Sequence, residues 1–158
     1  MADTRHVRRF RTGDEETLHR LFFETIREVN RKDYTEEQVR AWAPEDYDAG
    51  RWSARIRSLN PFICEIDGEI AGYADLQPSG YIDHFFVSRR FQRQGVGSIL
   101  FDQIEREARA TGLEILSADV SITAKPFFEH FGFKVVERQR VTMNGVALDN
   151  FRMTRVLS

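Results

Sequence analysis

The periodicity of apolar residues changes at Phe62, and that change constrains the fold more than any other feature of the chain. Before it, Leu18, Leu21, Phe22, Ile26 and Val29 recur at helical spacing, which predicts an amphipathic helix running to about Asn30. Thr12-Gly-Asp-Glu15 ahead of that stripe reads as a capping box, in which Thr12 and Glu15 each satisfy an orphan amide. Thr35-Glu-Glu-Gln38 repeats the pattern and opens a shorter helix through Trp42, stopped by Pro44. Asp48 caps a third helix from Ala49 towards Leu59, which Asn60-Pro61 ends. After Phe62 the pattern becomes that of strands: Phe62 to Ile66 and Glu69 to Leu76 flank Asp67-Gly68, a two-residue hairpin signal.

Tyr81 to Val87 reads as a further strand, and an Arg/Gln/Gly turn then leads into a helix from Ser98 to Ala110, ended by Gly112. Leu113 to Val120 is a strand, and Ala124 to Phe131 is a short helix with Pro126 in its first turn. Phe133 to Met143 and Val146 to Val156 make a long hairpin around Asn144-Gly145. With an opening strand from Arg5 to Phe10, this order predicts a mixed α+β fold around a largely antiparallel sheet. At 158 residues, with no repeat and no linker, residues 1–158 are expected to form one domain.

Composition narrows the function. There are 23 basic and 25 acidic side chains, a net charge of −2, so the general electrostatic attraction that supports nucleic-acid binding is missing. No apolar run approaches the roughly 20 residues of a membrane span, and no apolar stretch follows the basic start to make a secretory signal. Cys64 is alone, which agrees with a reducing compartment and argues against a structural metal site. A cytoplasmic protein without a metal is expected.

The segment Val87-Ser-Arg-Arg-Phe-Gln-Arg-Gln-Gly-Val-Gly97 lies between a strand and a helix. That geometry aims several backbone amides and the positive end of a helix dipole at one point, which suits a phosphate. Gly95 and Gly97 let the backbone approach an anion, and Arg89, Arg90 and Arg93 add charge. A tight turn with solvated arginines would read the same way. Leu100 stands where a dinucleotide fingerprint needs its third glycine, and no Gly-Lys-Ser/Thr of a P-loop occurs.

Gln92, Gly95 and Gly97 match the Gln/Arg-x-x-Gly-x-Gly/Ala motif of the GNAT superfamily of N-acyltransferases, which the chain resembles. His84-Phe-Phe-Val87 resembles the end of that family's fourth strand, and Ala124-Lys-Pro-Phe-Phe-Glu-His-Phe-Gly-Phe133 its late Ala-x-x-Phe-Tyr-x-x-x-Gly-Phe signature. The resemblance implies splayed central strands, helices on both faces of the sheet, and a pantetheine arm lying in the splay. It implies that Phe85, Phe86 and Val87 meet the pantetheine. By the same resemblance Gln92, Arg93, Gln94, Gly95, Val96, Gly97 and Ser98 form the pyrophosphate cradle, and Ser121 and Phe128 complete the cofactor contacts. Ser121 stands where the family often has Asn, and Phe128 where it has the Tyr that serves as general acid.

The family often places a base on the fourth strand. Counting back from Val87, Asp83 and then Tyr81 occupy the matching positions, so these two are the catalytic candidates. Strict alternation groups Tyr81, Asp83, Phe85 and Val87 on one face and turns Ile82, His84 and Phe86 to the other. Phe22, Phe23, Tyr34, Trp42, Tyr47 and Trp52 are candidates for an acceptor pocket as well as for the core, and Glu24, Asp75 and Glu129 could attract a cationic acceptor. The implied activity is transfer of an acetyl group from acetyl-CoA to a primary amine of a small molecule or peptide. The alternative is a silent acyl-CoA-binding sensor or scaffold, which Phe128 motivates. Homodimers are common in the family.

Overall fold

The computed structural model describes residues 3–157. Strand β1 (Arg5–Arg9) precedes helices α1 (Glu15–Glu28), α2 (Glu36–Trp42) and α3 (Ala49–Leu59). Strands β2 (Phe62–Ile66), β3 (Glu69–Ala74), β4 (Tyr81–Ile82) and β5 (Phe85–Val87) lead to α4 (Val96–Ala110). Strand β6 (Ile115–Ser121), helix α5 (Lys125–His130) and the hairpin β7 (Lys134–Met143) and β8 (Val146–Val156) complete the order. The fold is α+β, as expected.

The strands form two four-stranded sheets, ordered β1-β2-β3-β5 and β4-β6-β8-β7. All pairs are antiparallel except β4 with β6. The expected turns are present: Asp67 and Gly68, and Asn144 and Gly145, all have positive φ, as a two-residue hairpin requires. Helices cover both faces of the first sheet. Phe62 and Cys64 of β2 pack with Leu100, Ile104 and Phe128 of α4 and α5, while Ile63 and Tyr73 pack with Leu18, Leu21, Ile56 and Leu59 of α1 and α3. A Cβ at Gly72 would sit 2.9 Å from Val96 and 3.0 Å from the Phe86 carbonyl, so α4 lies directly on β3.

Three local expectations are corrected. The first helix begins at Glu15, and Thr12 does not cap it. The preceding Asp14 carboxylate accepts from Arg8 (2.8 and 3.0 Å) and from the Arg11 amide (2.8 Å), and Glu15 accepts from the Gly13 amide (2.6 Å). The Thr35 box does form in both directions, at 2.9 and 3.1 Å, and Asp48 accepts from the Arg51 amide at 3.0 Å. Strand β3 ends at Ala74, short of Leu76.

The third correction matters most. Tyr81 to Val87 is not one strand: β4 pairs with β6 in the second sheet, whereas β5 pairs with β3 in the first. The break is made by Asp75, whose fully buried carboxylate accepts from the amides of Asp83 (3.0 Å) and His84 (2.6 Å) and from Gln77 Nε2 (2.6 Å). Side-chain oxygens here replace ladder carbonyls, so the alternation slips by one residue. Ile82 and Phe85 therefore share one core, and His84 and Phe86 pack together elsewhere. Beyond Ile82 the chain leaves β6, and the two sheets part.

Candidate active site

A cavity of about 610 Å³ occupies the gap left by this parting. Phe85, Phe86 and Val87 form one wall, Ser121, Thr123 and Ala124 the other, and Gln92, Arg93, Gly95, Val96, Gly97 and Ser98 close one end. In an antiparallel pair, main-chain groups point alternately towards and away from the partner strand. Phe86 faces Tyr73 in a bonded position, since the same register joins the Asp75 amide to the His84 carbonyl and the Ser88 amide to the Ala71 carbonyl. The main-chain groups of Phe85 and Val87 thus face the gap. The Val87 carbonyl is already occupied, by Thr25 Oγ1 (3.2 Å) and Gln92 Nε2 (2.7 Å). The remaining edge is open to a strand-like ligand.

At the closed end, Gly95 is the residue before α4 and adopts φ +81°, and Arg93 adopts φ +60°. The amides of Val96, Gly97 and Ser98 open the helix and have no helical carbonyl to bond. Arg5 donates to the Gln94 carbonyl and fixes the loop, while the Gln94 side chain turns back to the Arg90 carbonyl and lies off the cavity wall. Arg89 is spent on Glu24 and Glu28, and Arg90 on Glu69, so they are not the free charges expected beside the cradle. Arg93 makes no ion pair among the described residues and lines the cavity. Gly97 serves packing as well: a Cβ there would meet the Phe127 ring at 2.6 Å.

Thr123, which the sequence offered no reason to single out, lines the gap with a hydroxyl that is buried and has no hydrogen-bond partner. Ser121 Oγ accepts from the Ala124 amide (3.0 Å) and from Asn30 Nδ2 (3.4 Å), and keeps its own proton. An open strand edge, free helix amides, Arg93 and an unpaired hydroxyl fit a ligand with amides at one end and a pyrophosphate at the other.

A second cavity, of about 260 Å³, lies on the opposite side of the splay and shares Phe85, Phe86, Ser121, Ala124 and Phe128 with the first. Asp83 and Tyr81 line it and do not line the larger gap. Asp83 is paired with Arg55. Tyr81 Oη donates to Asp119 Oδ2 at 2.8 Å, and burial together with that carboxylate pushes its pKa up to about 12. His84, which alternation would have turned away, also lines this cavity. Its Nδ1 lies 3.0 Å from the Tyr73 hydroxyl. Burial, with Arg55 adding to it, pushes the His84 pKa down to about 3, while burial and Asp75 raise that of Tyr73. Both are neutral at pH 7, and they share one hydrogen bond between the Tyr73 hydroxyl and His84 Nδ1.

Phe22, Tyr34 and Trp42 line the smaller cavity, whereas Phe23, Tyr47 and Trp52 do not. Phe23 packs under Arg27, Tyr47 stacks on His19, and Trp52 Nε1 donates to the Glu15 carbonyl (2.8 Å). Asp75 is spent on the strand break, Glu24 is paired with Arg89 and Glu129 with Lys125, and none of the three lines the smaller cavity. Phe128 is buried against Phe85, Phe101 and Phe133.

Residues 30–155 match the model of the acetyltransferase (GNAT) domain. The chain belongs to the GNAT acetyltransferase family. The enzyme is 31% identical over 147 residues, 93% of each chain, to YafP of Escherichia coli (strain K12), an uncharacterized N-acetyltransferase. It is also 31% identical to a crystal structure of a GCN5-related N-acetyltransferase from Rhodopseudomonas palustris, with a TM-score of 0.93 over 99% of both chains. The PaiA N-acetyltransferase of Thermoplasma acidophilum, solved in complex with coenzyme A, shares the fold at a TM-score of 0.74 and 17% identity, over 98% of this chain and 99% of that one. Among the described residues, no cluster of three or more His, Cys, Asp or Glu is arranged to hold a metal, and no helix is long and apolar enough to cross a membrane.

Proposed function

We propose that this acetyltransferase moves an acetyl group from acetyl-CoA to a primary amine by direct attack within a ternary complex. The observation that carries this reading is the meeting of two cavities from opposite sides at Phe85, Phe86, Ser121, Ala124 and Phe128. The larger one suits the donor and the smaller one the acceptor. In this assignment the main chain of Phe85 and Val87 bonds the pantetheine amides, and the amides of Val96, Gly97 and Ser98, with Arg93, hold the pyrophosphate. Gln92 and Gln94 shape the loop, and Thr123 and Ser121 offer hydroxyl protons from the facing wall. The coenzyme bound to the Thermoplasma neighbour supports the assignment.

A lysine-like ammonium has pKa about 10.4, so presenting the neutral amine at pH 7 costs roughly 4.6 kcal/mol. Asp83, in the acceptor cavity, is the proposed base. With Arg55 holding the carboxylate, it would take the ammonium proton directly or through water. The neutral amine nitrogen then bonds the thioester carbonyl carbon, the C–S bond breaks with its electron pair on sulfur, and the second proton shed by the nitrogen passes to the departing thiolate, directly or through water, to give the amide and free CoA thiol. Phe128 has no proton to supply, and a thiol with pKa around 8.5 leaves without full protonation. Tyr81 stays protonated in the acceptor cavity beside Asp83, with its hydroxyl donating to Asp119.

The test is CoA release that requires an added amine, with the amide product identified by mass spectrometry. Calorimetric binding of acetyl-CoA without turnover on any amine would place the chain instead among silent acyl-CoA binders.

A further inference from the structure

The smaller cavity has a mixed lining. Its apolar part includes Phe22, Trp42, Val141, Met143 and Leu148. Tyr34 adds only its ring, because its hydroxyl donates to the Asp149 carbonyl (2.7 Å) and accepts from the Ile122 amide (2.9 Å). Its polar part includes Tyr81, Asp83, Asp119, Asp149 and Asn150. No Lys or Arg lines the cavity. Its carboxylates are backed from outside the wall, Asp83 by Arg55, Asp119 by Arg152 and Asp149 by Arg138 and Arg140, so the pocket does not gather cations by net charge. It selects at contact range. An ammonium meets oxygen acceptors with lone pairs still open, whereas a carboxylate or phosphate meets carboxylates.

From this we infer that the acceptor is a compact primary amine with one apolar or aromatic body and no negative group. The inference rests on the acetyl-transfer reading above and deepens it. A volume of about 260 Å³ is that of roughly nine waters, enough for one ring with a short aminoalkyl arm. A peptide segment would have to leave most of its length outside a cavity of about 260 Å³. A polyamine would bring its second ammonium to a lining of Trp42, Val141 and Leu148, where the carboxylate of Asp149 is already held by Arg138 and Arg140. The apolar body lies against the hairpin and α2, and the amine points to the oxygens beside the junction with the donor cavity. In the transfer the ammonium loses two protons, one to Asp83 and one to the departing sulfur, the nitrogen gains the acetyl carbon, and CoA leaves as the thiol.

The test uses the full chain with acetyl-CoA and three matched probes: phenethylamine, phenylalanine, which adds a carboxylate to the same body, and spermidine. Phenethylamine is expected to exceed the other two in kcat/KM by about tenfold or more, since each of them brings an unmatched charge into the pocket. Met143, partly exposed at the hairpin end, provides a variant that keeps the core intact. Met143→Lys is expected to raise KM for phenethylamine several-fold while leaving CoA affinity unchanged. Turnover of spermidine or phenylalanine at least equal to that of phenethylamine, or a Met143→Lys enzyme with unaltered KM, overturns the inference and leaves acetyl transfer standing. Absence of turnover on all three and on a wider amine panel overturns both.

Discussion

Thr123→Val should stabilise the free protein and weaken its hold on CoA. The Thr123 hydroxyl is buried in the wall of the larger gap without a partner. A buried polar group left unpaired costs about 1–3 kcal/mol, and valine has the same branched shape without the hydroxyl. For a domain of this size each kcal/mol moves Tm by about 2–4 °C, so the ligand-free melt should rise by several degrees. If the hydroxyl bonds the bound cofactor, the variant loses one hydrogen bond worth about 0.5–1.5 kcal/mol, and Kd rises about 2- to 10-fold. Thermal melts of the free protein and calorimetry with CoA read the two effects separately. A lower Tm for the variant would mean that the hydroxyl is satisfied in the free protein. An unchanged Kd would mean that it does not face the cofactor.

Other sites give further expectations. Asp75→Ala leaves the buried amides of Asp83 and His84 without acceptors, so it should cost about 2–5 kcal/mol and lower the urea midpoint, whereas Asp75→Asn, which keeps an oxygen there, should cost much less. Asp83→Asn should lower kcat, most strongly below the pKa of the acceptor amine, with CoA affinity unchanged; a pH profile of the same shape and height removes Asp83 as the base. His84 is neutral in the fold with its pKa pushed down to about 3, against 6.5 for an ordinary histidine. The unfolded chain therefore binds a proton that the folded one refuses, and stability attributable to His84 is full above about pH 6.5 and lost as pH falls towards 3. The slope approaches about 1.4 kcal/mol per pH unit, and stability of His84→Gln should fall less steeply with acid over that range.

What could be read from the chain was whatever is encoded locally. The turns at Asp67-Gly68 and Asn144-Gly145, the caps at Thr35 and Asp48, and the stops at Asn60 and Gly112 each depend on residues a few positions apart, and the structure places them as expected. The failures involve side chains that lie outside the local pattern being read. Asp14 and Thr12 compete for one helix start, and Arg8 and Arg11 decide the contest from outside the capping pattern. The break in Tyr81 to Val87 is imposed by Asp75 from the end of the neighbouring strand, which is why His84 lines the acceptor cavity against the alternation rule. Thr123 carries no local signal, because an unpaired hydroxyl becomes visible only once its surroundings are built.

A crystal structure of the protein with acetyl-CoA tests the central claim most directly. The account predicts pantetheine along the open edge of Phe85 and Val87, pyrophosphate on the amides of Val96 to Ser98, and the thioester at the junction of the two cavities, within reach of an amine held near Asp83. A coenzyme bound outside the gap between β5 and β6, or a thioester turned away from the smaller cavity, would contradict it.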